Sequence, residues 1–258
     1  MFNPEVSFLT RRLFICLILF GSSFCRADLA ETIDRIKPAI VGVGTFQKIR
    51  SPSVNFLGTG FVVEDGSHAI TNAHVIPEVS TVNKETLIIM TGRGDKPELR
   101  SATVVALDKE YDLALLRFEG NKLPVLKLGD ISKIKEGNFL AFTGFPIGMV
   151  LGFYPVTHRA TIASITPIML PVQNARQLDA AKIRQLQKST YKVFQLDGTA
   201  YPGNSGSPLY DENTGDVYGV VNMVFVKGRK ESVLSEPSGI SYAIPGNYIR
   251  DFLKRSGF

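Results

Sequence analysis

The chain of 258 residues has no tryptophan, only three histidines and only two cysteines. Both cysteines, Cys16 and Cys25, fall within the first 27 residues, so the rest of the chain has none. That excludes a disulfide framework there, and His68, His74 and His158 alone supply no Cys/His metal-ligand spacing. A domain of this size buries enough surface to fold without covalent staples. Charge of one sign is also scarce, with 29 Lys and Arg against 24 Asp and Glu. No run of basic residues interleaved with aromatics occurs, which argues against a nucleic-acid partner. Helical patterns between strand-like segments are missing, so a doubly wound α/β sheet is excluded. Internal repeats, low-complexity tracts and heptads are absent too.

What is present begins with an unusual front end. Arg11 and Arg12 precede the apolar run LFICLILF at 13–20, and Cys25-Arg26-Ala27 follows a small-residue stretch. A basic region, a short apolar region and a small-x-small site form the layout of a secretory signal over residues 1–27, cut after Ala27. The run is far shorter than the roughly 20 residues that span a bilayer, so no lasting membrane anchor is expected. TRRLFI is similar to a twin-arginine signal, but the greasy run and Arg26 near the cut favour the general secretory path. Phe24 stands where a lipobox needs a small residue, which discounts a lipoprotein at Cys25. Cleavage takes away three basic residues and one acidic one, leaving a mature charge of +3. The product is expected to be exported, periplasmic or extracellular.

The mature part is mostly short segments rich in β-branched and aromatic residues, separated by turn signals. AIVGVGTF (39–46), GTGFVVED (58–65), HAITNAHV (68–75), ETLIIMT (85–91), ATVVALD (102–108) and DLALLRF (112–118) form one set. After a connector at 119–137 come NFLAFTGFP (138–146), HRATIASI (158–165), YKVFQLDG (191–198), SPLYDE (207–212), DVYGVVNMVFV (216–226) and GISYAIP (239–245). Two sets of six predict an all-β chain of two antiparallel six-stranded barrels, spanning 28–122 and 123–258. Two stretches read as helical: an insertion near 174–190, as a solvated surface helix or a lid, and a C-terminal helix over 246–255.

YPGNSGSPL at 201–209 sets Ser205 between two glycines. Those residues are also turn formers, so the loop alone proves little. A serine hydroxyl attacks only when a base takes its proton, and that base must be held in one tautomer. All three histidines precede Ser205, whereas an α/β-hydrolase places its histidine after the serine. His74 closes TNAHV, where a side chain can face a cleft; His68 follows a turn, and His158 has no suitable aspartate near it. Asp112, 38 residues after His74, stands at the mouth of an apolar strand and can face the imidazole. Asp108 is its competitor.

TNAHV, DLALL and GNSGSP resemble the three catalytic blocks of the trypsin-like (chymotrypsin-fold) serine peptidases, closest to the bacterial Deg/HtrA-like branch. GTGFVVE, GFPIG at 144–148 and GISYAIP resemble that branch as well, and the likeness covers roughly residues 30–255. It implies a serine endopeptidase with Ser205 as nucleophile, His74 as proton shuttle and Asp112 orienting the imidazole. It also implies an oxyanion hole from the Gly203 and Ser205 amides, with no cofactor and no metal. Gly206 would let the chain pass close behind the nucleophile.

Departures matter too. Asn204 replaces the aspartate that pairs with a freed N-terminal amine in pancreatic-type members, so that mode of activation is not expected. Thr199 stands where an acid selects Lys or Arg substrates, and Asn222 where glutamyl endopeptidases carry a histidine. Both are read as substrate-binding positions, favouring a small or medium apolar residue before the cut. The PDZ domain usual in that branch is not expected in a chain read to Phe258, and the branch's trimeric assembly is not carried over. The partners expected are protein or peptide substrates. The alternatives are a catalytically silent peptide-binding or chaperone-like relative, and an esterase acting on activated esters. Arg93-Gly94-Asp95 spells an adhesion tripeptide but lies in a turn.

Overall fold

The computed structural model describes residues 28–77, 84–94, 96–147, 152–167, 191–222 and 240–258. Residues 1–27 and the 174–190 segment lie outside them, as do Asp95 and Gly148. The expected two barrels form. Six strands, β1 (Ile40–Phe46), β2 (Val54–Val63), β3 (His68–Thr71), β4 (Thr86–Thr91), β5 (Glu98–Asp108) and β6 (Leu113–Phe118), close in the order β1-β2-β3-β6-β5-β4. Six more, β7 (Phe139–Gly144), β8 (Val156–Pro167), β9 (Lys192–Asp197), β10 (Pro208–Asp211), β11 (Val217–Asn222) and β12 (Ile240–Pro245), close as β10-β11-β12-β9-β8-β7. Every strand pair is antiparallel. Closure removes the unpaired edges that would otherwise template aggregation.

The β-branched, apolar composition fits because each barrel fills its own interior. Phe61, Ile70, Ile89 and Leu115 pack inside the first, and Phe142, Ile162, Phe194 and Leu196 inside the second. Phe145 and Phe153 stack at 4.0 Å between their ring centres. The C-terminal helix (Gly246–Arg255) buries Ile249, Phe252 and Leu253, as its apolar face predicts.

Among the described residues, one helix lies beyond the sequence reading. Helix α1 (Leu29–Ile36) buries Thr32 and Ile36, and carries Glu31 in its first turn and Arg35 in its last, matching the helix dipole. Two turns are too short for stability in isolation. Tertiary bonds hold this one: Thr32 Oγ1 and Arg35 Nη2 both donate to Asn213 O, each at 3.1 Å, in the turn before β11.

Strand boundaries position the site. β3 stops at Thr71, and His74 sits on a single 3₁₀ turn, Ala73–Val75, rather than on a strand end. β6 starts at Leu113, which leaves Asp112 in the turn before it.

Candidate active site

His74 and Asp112 both come from the first barrel and meet because their two turns are bonded together. Asp112 O accepts Ala73 N–H at 3.1 Å and Asn72 Nδ2–H at 3.0 Å. Asp112 takes a left-handed backbone, φ 53°, which aspartate tolerates better than most residues. Its competitor Asp108 caps this turn instead: Oδ1 accepts the Glu110 and Tyr111 amides, each at 3.0 Å, and Oδ2 accepts Arg255 at 2.7 Å.

The Asp112 carboxylate accepts three bonds. His74 N–H reaches Oδ1 at 2.8 Å, while His74 Nδ1 at 2.6 Å and Asn222 Nδ2 at 2.7 Å reach Oδ2. An ionised carboxylate only accepts, so Nδ1 carries the proton and Nε2 is left with its lone pair. Nε2 lies 3.0 Å from Ser205 Oγ, across 131 positions of chain and from the other barrel. Ser205 is buried, while 31% of the imidazole side chain is exposed, enough to exchange a proton with what enters the cleft.

The serine loop explains its own composition. Gly203 has φ 100° and Gly206 φ 89°. A Cβ on Gly206 would lie 1.9 Å from Thr59 O and 2.5 Å from Thr71 Oγ1, so only glycine fits. Thr59 N–H donates to Ser205 O at 2.8 Å, and Gly206 N–H to Val221 O at 3.0 Å. Pro202 O accepts Ile147 N–H at 2.6 Å. Among the described residues, the Gly203 and Ser205 amides find no protein acceptor. Two uncommitted donors beside a serine hydroxyl suit a developing negative charge.

An aromatic cluster from three elements stands beside Asp112. Tyr111 stacks on Tyr248 at 4.8 Å and meets Tyr191 edge-on at 5.1 Å. Burial, and after it the Asp112 charge, push the Tyr191 phenol far above its usual range. The phenol therefore stays neutral.

The remaining sequence-selected positions are scattered. Thr199 is half-buried in the loop after β9, between Gly198, whose O accepts Ser241 Oγ at 2.7 Å, and Ala200, whose N–H donates to Ser241 Oγ at 2.8 Å. Asn222, read as facing substrate, is fully buried and bonds to Asp112 Oδ2. β11 ends beside the Asp112 turn, which brings this side chain to the carboxylate. His68 is buried with Nδ1 2.8 Å from Asp65 Oδ1, and its ring lies edge-on to Phe258. His158 stacks on Phe142 in the second barrel, where burial pushes its pKa down. Sequence reasoning missed Asn72, Thr59 and Ile147 as supports, although all three lie within the motifs TNAHV, GTGFVVE and GFPIG.

Comparison with known proteins shows the family and the fold. Residues 58–220 match the family described as trypsin-like peptidase domain. A probable periplasmic serine endoprotease DegP-like from Pseudomonas putida (strain GB-1) is 31% identical over 257 residues, covering 84% of this chain and 46% of its own. The serine protease HTRA4 of Mus musculus is 31% identical over 232 residues, covering 88% of this chain and 40% of its own. The chain thus spans less than half the length of these curated relatives. Among solved structures, the active form of the Rv3671c protease from M. tuberculosis superimposes with a TM-score of 0.64 at 23% identity, over 88% of this chain and 84% of that one. The HtrA-type protease AlgW with tripeptide gives 0.61 at 22% identity, over 88% and 63%. At such identities the structures speak to the fold alone.

Proposed function

Because this chain belongs to the trypsin-like peptidase family, we propose that it is a serine endopeptidase working through His74, Asp112 and Ser205. The observation that carries the proposal is the unbroken line from Asp112 Oδ2 to His74 Nδ1 (2.6 Å) and from His74 Nε2 to Ser205 Oγ (3.0 Å). Such a line is the Ser-His-Asp triad, in which the carboxylate orients the imidazole and stabilises its charged form. Ser205 Oγ attacks the scissile carbonyl carbon as its proton passes to Nε2. The carbonyl oxygen, now negative, is received by the Gly203 and Ser205 N–H groups. The imidazolium then gives its proton to the leaving amine, the C–N bond breaks, and an acyl-enzyme remains. Water, deprotonated by His74, attacks the ester carbon; the C–O bond to Ser205 breaks, His74 returns the proton to Ser205 Oγ, and the acid leaves. No step calls for a metal or cofactor.

Neutral Thr199 before the serine loop supports acceptance of a small or medium apolar residue ahead of the cut. Protein or peptide segments are the substrates. Export through a signal cut after Ala27 leaves Asp28 as the first residue, which intact-mass measurement of the exported protein reads directly.

The test is labelling by a fluorophosphonate, with Ser205→Ala and His74→Ala as comparisons. Rapid labelling of the wild type alone is the expected result. A folded wild type that does not label would favour the catalytically silent peptide-binding relative, and equal labelling of all three proteins would place the reactive group elsewhere.

A further inference from the structure

The serine loop is tied to the first barrel mainly through one residue. Thr59, in β2, is fully buried. Its N–H donates to Ser205 O (2.8 Å), its Oγ1 donates to Gly203 O (2.7 Å) and accepts Phe145 N–H (3.0 Å), and its O accepts Thr71 Oγ1 (2.7 Å). A hydroxyl has one proton to give. Since Phe145 N–H occupies the hydroxyl as a donor, the threonine proton is directed at Gly203 O.

That bond matters because of where Gly203 sits. Its N–H belongs to the Pro202–Gly203 peptide, whose carbonyl is held by Ile147 N–H (2.6 Å). In a trans peptide the N–H points opposite the carbonyl, so this contact aims the Gly203 N–H away from Ile147. Its carbonyl belongs to the next peptide, held by Thr59. Between the two contacts both torsions of Gly203 are set. Glycine has wide conformational freedom, so a Gly203 released at one end would sample other orientations. The neighbouring side chain does not take over: the buried Asn204 amide finds no protein partner among the described residues.

We propose that the Thr59 hydroxyl is a positioning residue that locks Gly203 so that its N–H, with that of Ser205, faces the carbonyl under attack. The assignment rests on the peptidase reading above. Thr59 touches neither substrate nor proton; it acts through the backbone of Gly203. An effect confined to the oxyanion acts on the transition state, so kcat should fall while KM holds. Loss of a complete oxyanion donor costs about 100- to 1000-fold in rate, and a loosened donor should cost less, about 10- to 100-fold.

The experiment compares the full-length wild type with Thr59→Val, Thr59→Ser and Thr59→Ala. Steady-state hydrolysis of a p-nitrophenyl ester and the rate of fluorophosphonate acylation are measured, with thermal unfolding alongside. Valine keeps the shape and loses the hydroxyl; alanine stands in for it should valine disturb folding. The expected result is a kcat and an acylation rate lowered about 10- to 100-fold with KM within about twofold. Serine should recover activity to within about threefold of the wild type, whatever its melting temperature. A folded Thr59→Val or Thr59→Ala acylated at the wild-type rate overturns the proposal. So does a Thr59→Ser as impaired as Thr59→Val, which would mean that packing of the methyl group carries the effect. A wild type that reacts with neither probe instead removes the peptidase reading, and this assignment with it.

Discussion

Replacing Asn222 by leucine keeps the branched outline of the side chain and deletes the hydrogen bond from Nδ2 to Asp112 Oδ2 at 2.7 Å. A bond to an ionised acceptor contributes about 1.5–3 kcal/mol net. At about 1.4 kcal/mol per tenfold, losing all of it from the transition state would slow the reaction about 10- to 150-fold. Two contacts to His74 still hold Asp112, through Oδ1 at 2.8 Å and Oδ2 at 2.6 Å. The carboxylate is therefore loosened rather than released, and the lower end, about tenfold, is expected. The assay is kcat and KM of Asn222→Leu on a p-nitrophenyl ester and on a quenched fluorescent peptide. Because the deleted bond goes to Asp112, both substrates should lose kcat by the same factor with KM unchanged. A loss seen as raised KM on the peptide alone would make Asn222 a substrate contact after all. Wild-type kcat on both substrates would show that His74 alone orients Asp112.

Two further outcomes follow from backbone and burial. Gly206→Ala forces a left-handed alanine at φ 89°, about 1–2 kcal/mol, and a Cβ 1.9 Å from Thr59 O, about 1–3 kcal/mol more as the barrels part. Its melting temperature should drop by at least about 5 °C, and an unchanged value in a differential scan would refute the close packing. Burial lowers the His158 pKa, so the unfolded chain binds that proton more readily than the folded one. The stability this neutral imidazole contributes is complete above its ordinary pKa of about 6.5 and is lost as pH falls below it. Urea midpoints at pH 7.5 and 5 should differ less in His158→Phe than in the wild type; equal differences would show that His158 titrates normally in the fold.

The barrels were legible because their strands are rich in β-branched and aromatic residues and are set apart by turn signals, and both six-strand sets emerged in order. The boundaries were less so. Thr71 ends β3 because Asn72 and Ala73 leave the ladder to bond with Asp112 O, a contact 40 positions away that local pattern cannot carry. Helix α1 escaped notice for a related reason: eight residues with weak intrinsic stability are fixed by Asn213, 181 positions from Thr32. At the site, residues whose type is chemically committed stood out, as a serine between glycines does. Thr59 did not, and the bond from Asn222 to Asp112 was not foreseen, since an asparagine or threonine has many uses and only the fold selects one. The end of β11 brings Asn222 to Asp112 Oδ2, a contact 110 positions away that local pattern cannot carry.

Among the described residues, four that are not glycine adopt a left-handed backbone, and two of them, Asp112 and Ile147, stand at this site. For β-branched Ile147 that conformation is costly, on the order of 1–3 kcal/mol. Each persists because of bonds formed outside its own turn: Asp112 O with Asn72 and Ala73, Ile147 N–H with Pro202 O. The strain is thus offset by the same contacts that aim the imidazole and the Gly203 amide. His74 and Asp112 come from one barrel, Ser205 and Asn222 from the other, and Thr59 bridges them. Neither barrel holds a complete site. Its geometry is a property of the seam, so a shift of one barrel against the other loosens the imidazole–hydroxyl contact, the oxyanion donors and the aspartate's second anchor together, while every ladder within each barrel stays intact.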